Sequence, residues 1–235
     1  MSESTALSES VVCRVRTAIL DGTFLPGTAL REASLAQHYD VSRRTMREAL
    51  LVLNGQGLVV HRHHSGASVR TFEAADIKDL YRVRRMLECE GVRHASDANE
   101  AALRSVHAAF ARLEEVALVD GINSVRVAEA DAAFHGAVIA LSDSPRIDEF
   151  YQSIAAQMTH AITVQQRHDE ANATPPERTI AEHRAIHDAV LDRNVYEAQR
   201  LALAHIEHYE AVLLAAAPTE AHYSRPPRST ARPRP

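Results

Sequence analysis

From residue 74 to residue 216, apolar side chains recur at helical spacing and no alternating, strand-like run interrupts them. Breaks fall only at "DGINS" (120–124), "SDSP" (142–145) and "NATPPE" (172–177), which are rich in the residues that end helices. The spacing predicts helices over roughly 75–95, 99–117, 122–141, 146–168, 178–192 and 194–216. Helices with one apolar stripe each must bury it against one another, so this part of the chain reads as an all-helical bundle. Composition agrees: 46% of the 235 residues are hydrophobic, Trp is absent, and aromatic residues are few.

The first 72 residues read differently. A helix over about 8–22 carries Val11, Val12, Val15 and Ile19 on one stripe, and "DGTFLPG" (21–27) ends it. "REASLAQHY" (31–39) is a short helix burying Leu35, Ala36 and Tyr39, and Asp40 suits a left-handed turn. Ser42 then caps a third helix that runs to about Asn54–Gly57. "LVVHRHHSGASVRTF" (58–72) predicts two strands joined at Ser65-Gly66. The fold class is therefore mainly α, with an N-terminal unit of three helices and a β-hairpin followed by an all-helical bundle. The expected divisions are a head at 1–72, a linker at 73–78, a bundle at 79–217 and a disordered basic Pro/Arg tail at 218–235.

A net charge of −5 argues against nucleic acid until its distribution is read. Residues 1–72 hold eight Arg against six acids, and residues 73–217 hold fourteen Lys/Arg against twenty-four acids. The excess of positive charge therefore sits on the head. Within "VSRRTMREAL" (41–50), Val41, Met46, Ala49 and Leu50 mark a buried face, while Arg43, Arg44, Thr45 and Arg47 crowd the exposed N-terminal end. Arginine at a helix start opposes the helix dipole, so its presence needs another reason. A helix fits the major groove of DNA, and an arginine can donate two hydrogen bonds to one guanine. His61, Arg62, His63, His64 and Arg70 around Gly66 add a basic wing suited to the phosphate backbone or minor groove.

"AILDGTFLPGTALREASLAQHYDVSRRTMREALLVLNGQGLVV" resembles the winged helix-turn-helix of the GntR superfamily of bacterial transcription regulators. The resemblance implies operator contacts by Arg43 and Arg47, a phosphate contact by Thr45, and a wing tip at Gly66. Some members place a further contacting Arg in the preceding helix, where this chain has Ala33. The bundle resembles the FCD type of effector domain through "LYRVRRMLECEGVRHAS" (80–96), "DAAFHGAVIALSDSPRI", "EHRAIHDAV" and "ALAHIEHY".

In metal-binding FCD proteins one Asp and three His at these motifs hold an ion, which implies Asp131, His135, His183 and His205 here. Such donors suit Zn²⁺ first, and also Ni²⁺, Mn²⁺ or Fe²⁺. Spacing alone carries little weight, since the sequence holds two acid-to-His pairs four apart, Glu90/His94 and Asp131/His135. Arg84, at the family's "VRRxLE" position, would hold a small organic acid that completes the metal's sphere; the same spacing fits an ion pair with Glu88.

These readings together predict a transcriptional regulator, expected as a repressor, that binds a palindromic double-stranded operator as a homodimer and answers to a carboxylate effector. A regulator with the ion itself as signal is the alternative. A metal-dependent hydrolase fits poorly, because Glu182, beside His183, is badly aimed for a general base, so no enzyme activity is expected. Cys13 and Cys89 match no metal or redox spacing, the N-terminus shows no signal peptide, and the longest apolar run is "AVLLAAA" (211–217). A cytoplasmic protein without a membrane partner is expected.

Overall fold

The computed structural model describes residues 3–62, 66–121, 124–169 and 176–217. The head contains α1 (Glu3–Leu20), β1 (Ala29–Leu30), α2 (Glu32–Tyr39), α3 (Arg43–Gly55), β2 (Val59–Arg62) and β3 (Gly66–Val69). Val15 and Ile19 of α1, Leu35 of α2, and Met46, Leu50 and Leu53 of α3 form its core, closed by Val59 and Val69. Asp40 takes the left-handed conformation (φ 55°), and its backbone N–H reaches back to the carbonyls of Ala36 and Gln37. The chain can then restart at Ser42, whose Oγ accepts the Thr45 N–H at 3.0 Å.

The expected hairpin is present, but it belongs to a three-stranded sheet of order β1-β3-β2. Ala29 pairs with Ser68 and Leu30 with Ala67, so a two-residue strand between the break at 21–27 and α2, not expected from the sequence, closes the sheet edge. Such a short strand leaves no periodic trace; its position depends on the partner already being in place.

The bundle consists of α4 (Ala74–Arg93), α5 (Glu100–Asp120), α6 (Val125–Ile139), a 3-10 turn (Ala140–Ser142), α7 (Pro145–Asp169), α8 (Pro176–Leu191) and α9 (Val195–Ala216). Residues 74–78, read from the sequence as part of a linker, form the opening of α4, where the Asp76 carboxylate accepts the Glu73 N–H at 3.1 Å. Phe110, Leu113, Phe134, Val138, Ile186 and Val190 fill the centre. Helices α4 and α6 approach so closely at Gly91 that a Cβ there would strike the Val138 carbonyl and the Ile139 Cα. That contact brings the side chains of both helices into one layer.

The head rests on α7. Arg167 donates to the Leu20 carbonyl at the end of α1, and the His160 Nε2–H donates to the Arg70 carbonyl at 3.2 Å. His160 is fully buried against Phe72, its Nδ1 has no hydrogen-bond partner among the described residues, and burial lowers its pKa to about 4. The tail at 218–235 lies outside the described residues.

Candidate metal centre and DNA-binding surface

In α6, α8 and α9 the residue types at the inward positions switch from aliphatic to imidazole. Asp131 and His135 project from α6, His183 from α8 and His205 from α9, and all four are buried. Ligand atoms of the three imidazoles lie within 4.8 Å of one another. Asp131 stands 2.9 Å from His183 Nε2 and 3.6 Å from His135 Nε2.

Each ring is held from outside by its Nδ1. The Glu88 carboxylate accepts from His135 at 2.9 Å, the Thr179 carbonyl from His183 at 2.8 Å, and the Glu182 carboxylate from His205 at 3.3 Å. Placing the protons on Nδ1 leaves the three Nε2 lone pairs facing inward, which is how proteins fix imidazoles for a metal. The short approach of Asp131 to His183 lacks hydrogen-bond direction, and among the described residues the buried His183 Nε2 has no hydrogen-bond partner. Electron-rich atoms gathered without a shared proton are what a cation would reconcile, so this donor set fits a divalent ion.

Electrostatics favour the donor forms. Burial, with the charge of His183 added, pushes His205 down to about 3, and burial together with Arg84 lowers His135. Burial would raise the Asp131 carboxyl, but His183 and His135 hold it far below the usual carboxylate range. His183 is the exception: burial would lower it, but the Asp131 carboxylate and the bond to the Thr179 carbonyl together raise it. The Glu88 carboxyl would also rise by burial, yet His135 and Arg84 keep it at about 2.

Arg84 of α4 enters the same layer. Its Nε donates to Glu88 Oε1 at 2.6 Å, as the four-residue spacing allowed, and its NH2 group lies 2.6 Å from His135 Nε2. Glu88, Thr179 and Glu182 were not expected as supports for the imidazoles. Glu88 is 47 positions from His135, and no local pattern links them. Glu182 bonds Arg178 as well as His205, so its carboxylate is already engaged. His187, although next to the site in sequence, turns away to His107 (3.0 Å) and Asp188 (2.7 Å).

On the head, Arg43, Arg44 and Arg47 are all exposed at the start of α3. Arg43 makes no ion pair among the described residues. Arg44 pairs with Glu48 at 3.0 Å. Arg47 makes a two-pronged bond to Glu32 of α2, at 2.9–3.2 Å. The hydrogen bond from Arg47 lowers the Glu32 pKa, helped by the charges of Arg43 and His61, so one carboxylate sits among a basic group from the helix and the sheet. The Thr45 hydroxyl shares a hydrogen bond with Ser42 at 2.8 Å. Gly66 has φ 76° with open space around it; His64 lies outside the described residues. Among the described residues, no helix is long and apolar enough to cross a membrane.

A sequence model of the FCD domain matches residues 79–208, and one described as bacterial regulatory proteins, gntR family, matches residues 7–69. The chain is 30% identical over 207 residues to the uncharacterized HTH-type transcriptional regulator BphR of Paraburkholderia xenovorans, covering 86% of this chain and 83% of that one. It is 23% identical over 198 residues to the HTH-type transcriptional repressor RspR of Escherichia coli, covering 82% of each chain. Among solved structures, a GntR transcriptional regulator from Rhodococcus sp. RHA1 superimposes with a TM-score of 0.74 at 34% identity, covering 90% of this chain and 99% of that one. With both domains matched in this order, the chain belongs to the GntR family of bacterial transcriptional regulators, in the group that carries an FCD domain.

Proposed function

We propose that this regulator is a cytoplasmic repressor that binds a palindromic operator as a homodimer and releases or tightens on it when a small carboxylate binds in the bundle. Residues 1–72 read the DNA and residues 79–217 sense the effector. Arg43 and Arg47 contact base edges, Arg44, Thr45 and the wing at Gly66 and His64 contact the backbone, and two-fold symmetry sets the half-site spacing. The name of RspR as a repressor supports the sign of the response.

Asp131, His135, His183 and His205 hold a divalent ion, Zn²⁺ by donor type, and Arg84, beside His135, is a partner for the effector's carboxylate. The ion would supply open coordination positions for a carboxylate oxygen. The observation that carries this reading is the triple support of the imidazoles from outside, which aims three buried Nε2 atoms at one point. Glu88, Glu182 and the Thr179 carbonyl keep those rings in register and keep their protons on Nδ1.

Elemental analysis of the purified protein should find one divalent ion per chain, lost in His183→Ala. Operator binding at fixed salt, titrated with a panel of small carboxylates, should shift with one of them; a shift on chelation alone would make the ion the signal. Absence of stoichiometric metal in a folded protein would overturn the metal reading and leave the DNA reading standing.

A further inference from the structure

An imidazole with its proton on Nδ1 has one lone pair, at Nε2, and it can serve one electron-poor partner. For His135 that partner is Arg84, whose NH2 group lies 2.6 Å away while the Glu88 carboxylate accepts the Nδ1–H at 2.9 Å. The guanidinium is anchored: its Nε is 2.6 Å from Glu88, and both side chains are nearly fully buried. Arg84 and a metal ion therefore compete for the same lone pair.

We propose that Arg84 is a carboxylate-operated gate on the metal centre. This rests on the metal reading above and goes beyond it to regulation. Metal ligation by His135 requires the NH2 group to withdraw, which strands a buried N–H beside the ion. A carboxylate bridging the ion and the guanidinium gives that N–H a new acceptor and removes the cost. Metal and carboxylate then bind with positive coupling, and by linkage each raises the affinity for the other equally. The planar guanidinium moves as one unit, so withdrawal of the NH2 group tilts the Nε contact to Glu88 with it.

The test is Zn²⁺ affinity measured by competition with a chromophoric chelator, in chloride and in acetate at matched ionic strength. Acetate is a small carboxylate with two oxygens, one for each cation. Wild-type protein should bind Zn²⁺ about tenfold tighter in acetate. Arg84→Lys keeps the positive charge and a partner for Glu88 but has no second nitrogen to reach His135. It should bind Zn²⁺ about tenfold tighter than wild type in chloride and gain little from acetate. If simple charge repulsion were at work, Arg84→Lys would match wild type in chloride. That result overturns the gate, and so does a wild-type affinity indifferent to acetate. Failure of the metal reading itself looks different: neither protein would take up stoichiometric Zn²⁺, and His183→Ala would change nothing.

Discussion

The head and the bundle each hold an arginine bound to a glutamate at hydrogen-bond distance, and water separates their meanings. Arg47 and Glu32 on the head leave 61% and 24% of their side chains exposed. Arg84 and Glu88 in the bundle leave 3% and 1%. The exposed pair forms and breaks at little net cost, because water solvates either partner alone. Its arginine can leave Glu32 without stranding a buried charge, as the proposed operator contact requires. The buried pair has no such alternative, so its arginine leaves a contact only when another acceptor arrives. The first arrangement suits scanning DNA; the second suits a switch.

The largest expected effect comes from breaking the buried pair. Arg84→Ala should destabilise the protein by about 3–5 kcal/mol, by stranding the Glu88 charge, as measured by urea denaturation. A cost no larger than that of Arg47→Ala would end the contrast between the two regions.

His160, at the junction of head and bundle, extends the argument to a buried group that makes no ion pair among the described residues. Its folded pKa of about 4 lies below the ordinary 6.5. The unfolded chain therefore takes up the proton first, and stability is complete above pH 6.5 and falls as the pH drops toward 4. The loss should be about 3 kcal/mol, and His160→Gln should flatten that part of the pH profile.

On the head, Arg43→Ala and Arg47→Ala should each weaken operator binding by about 1–3 kcal/mol in fluorescence anisotropy at fixed salt, with relaxed preference at one base pair. An equal loss on unrelated duplexes would assign them to phosphates instead. The smallest effect concerns folding: Arg47→Ala should change stability by about 1 kcal/mol or less in the same urea titration. A larger change would mean that Glu32 holds α2 to α3 and that Arg47 is less available to DNA.

Much of the head was legible because its signals are local. Ser42, Met46 and Leu50 lie within nine residues of one another, and the cap, the buried stripe and the exposed guanidiniums follow from helical geometry alone. The helices of the bundle were legible for the same reason. The strand at Ala29–Leu30 and the clamp of Glu32 on Arg47 were not, since each depends on a partner distant in the chain.

The two acid-to-His pairs show the limit most clearly. Glu90/His94 and Asp131/His135 have the same spacing. Glu90 and His94 sit on the surface, 37% and 46% exposed, in a simple 3.3 Å contact. Asp131 and His135 are buried beside two more imidazoles. The four-residue spacing by itself does not distinguish them.

The sequence by itself determined the helices, the hairpin, the Ser42 cap and the buried face of α3, because those depend on periods of two and 3.6 residues and on single turn residues. Tertiary structure alone decided which histidines meet, which nitrogen each one offers, and that Arg84 reaches His135 while Arg47 reaches Glu32. Those are distances between helices, and the packing of whole apolar faces sets them, down to the close approach at Gly91.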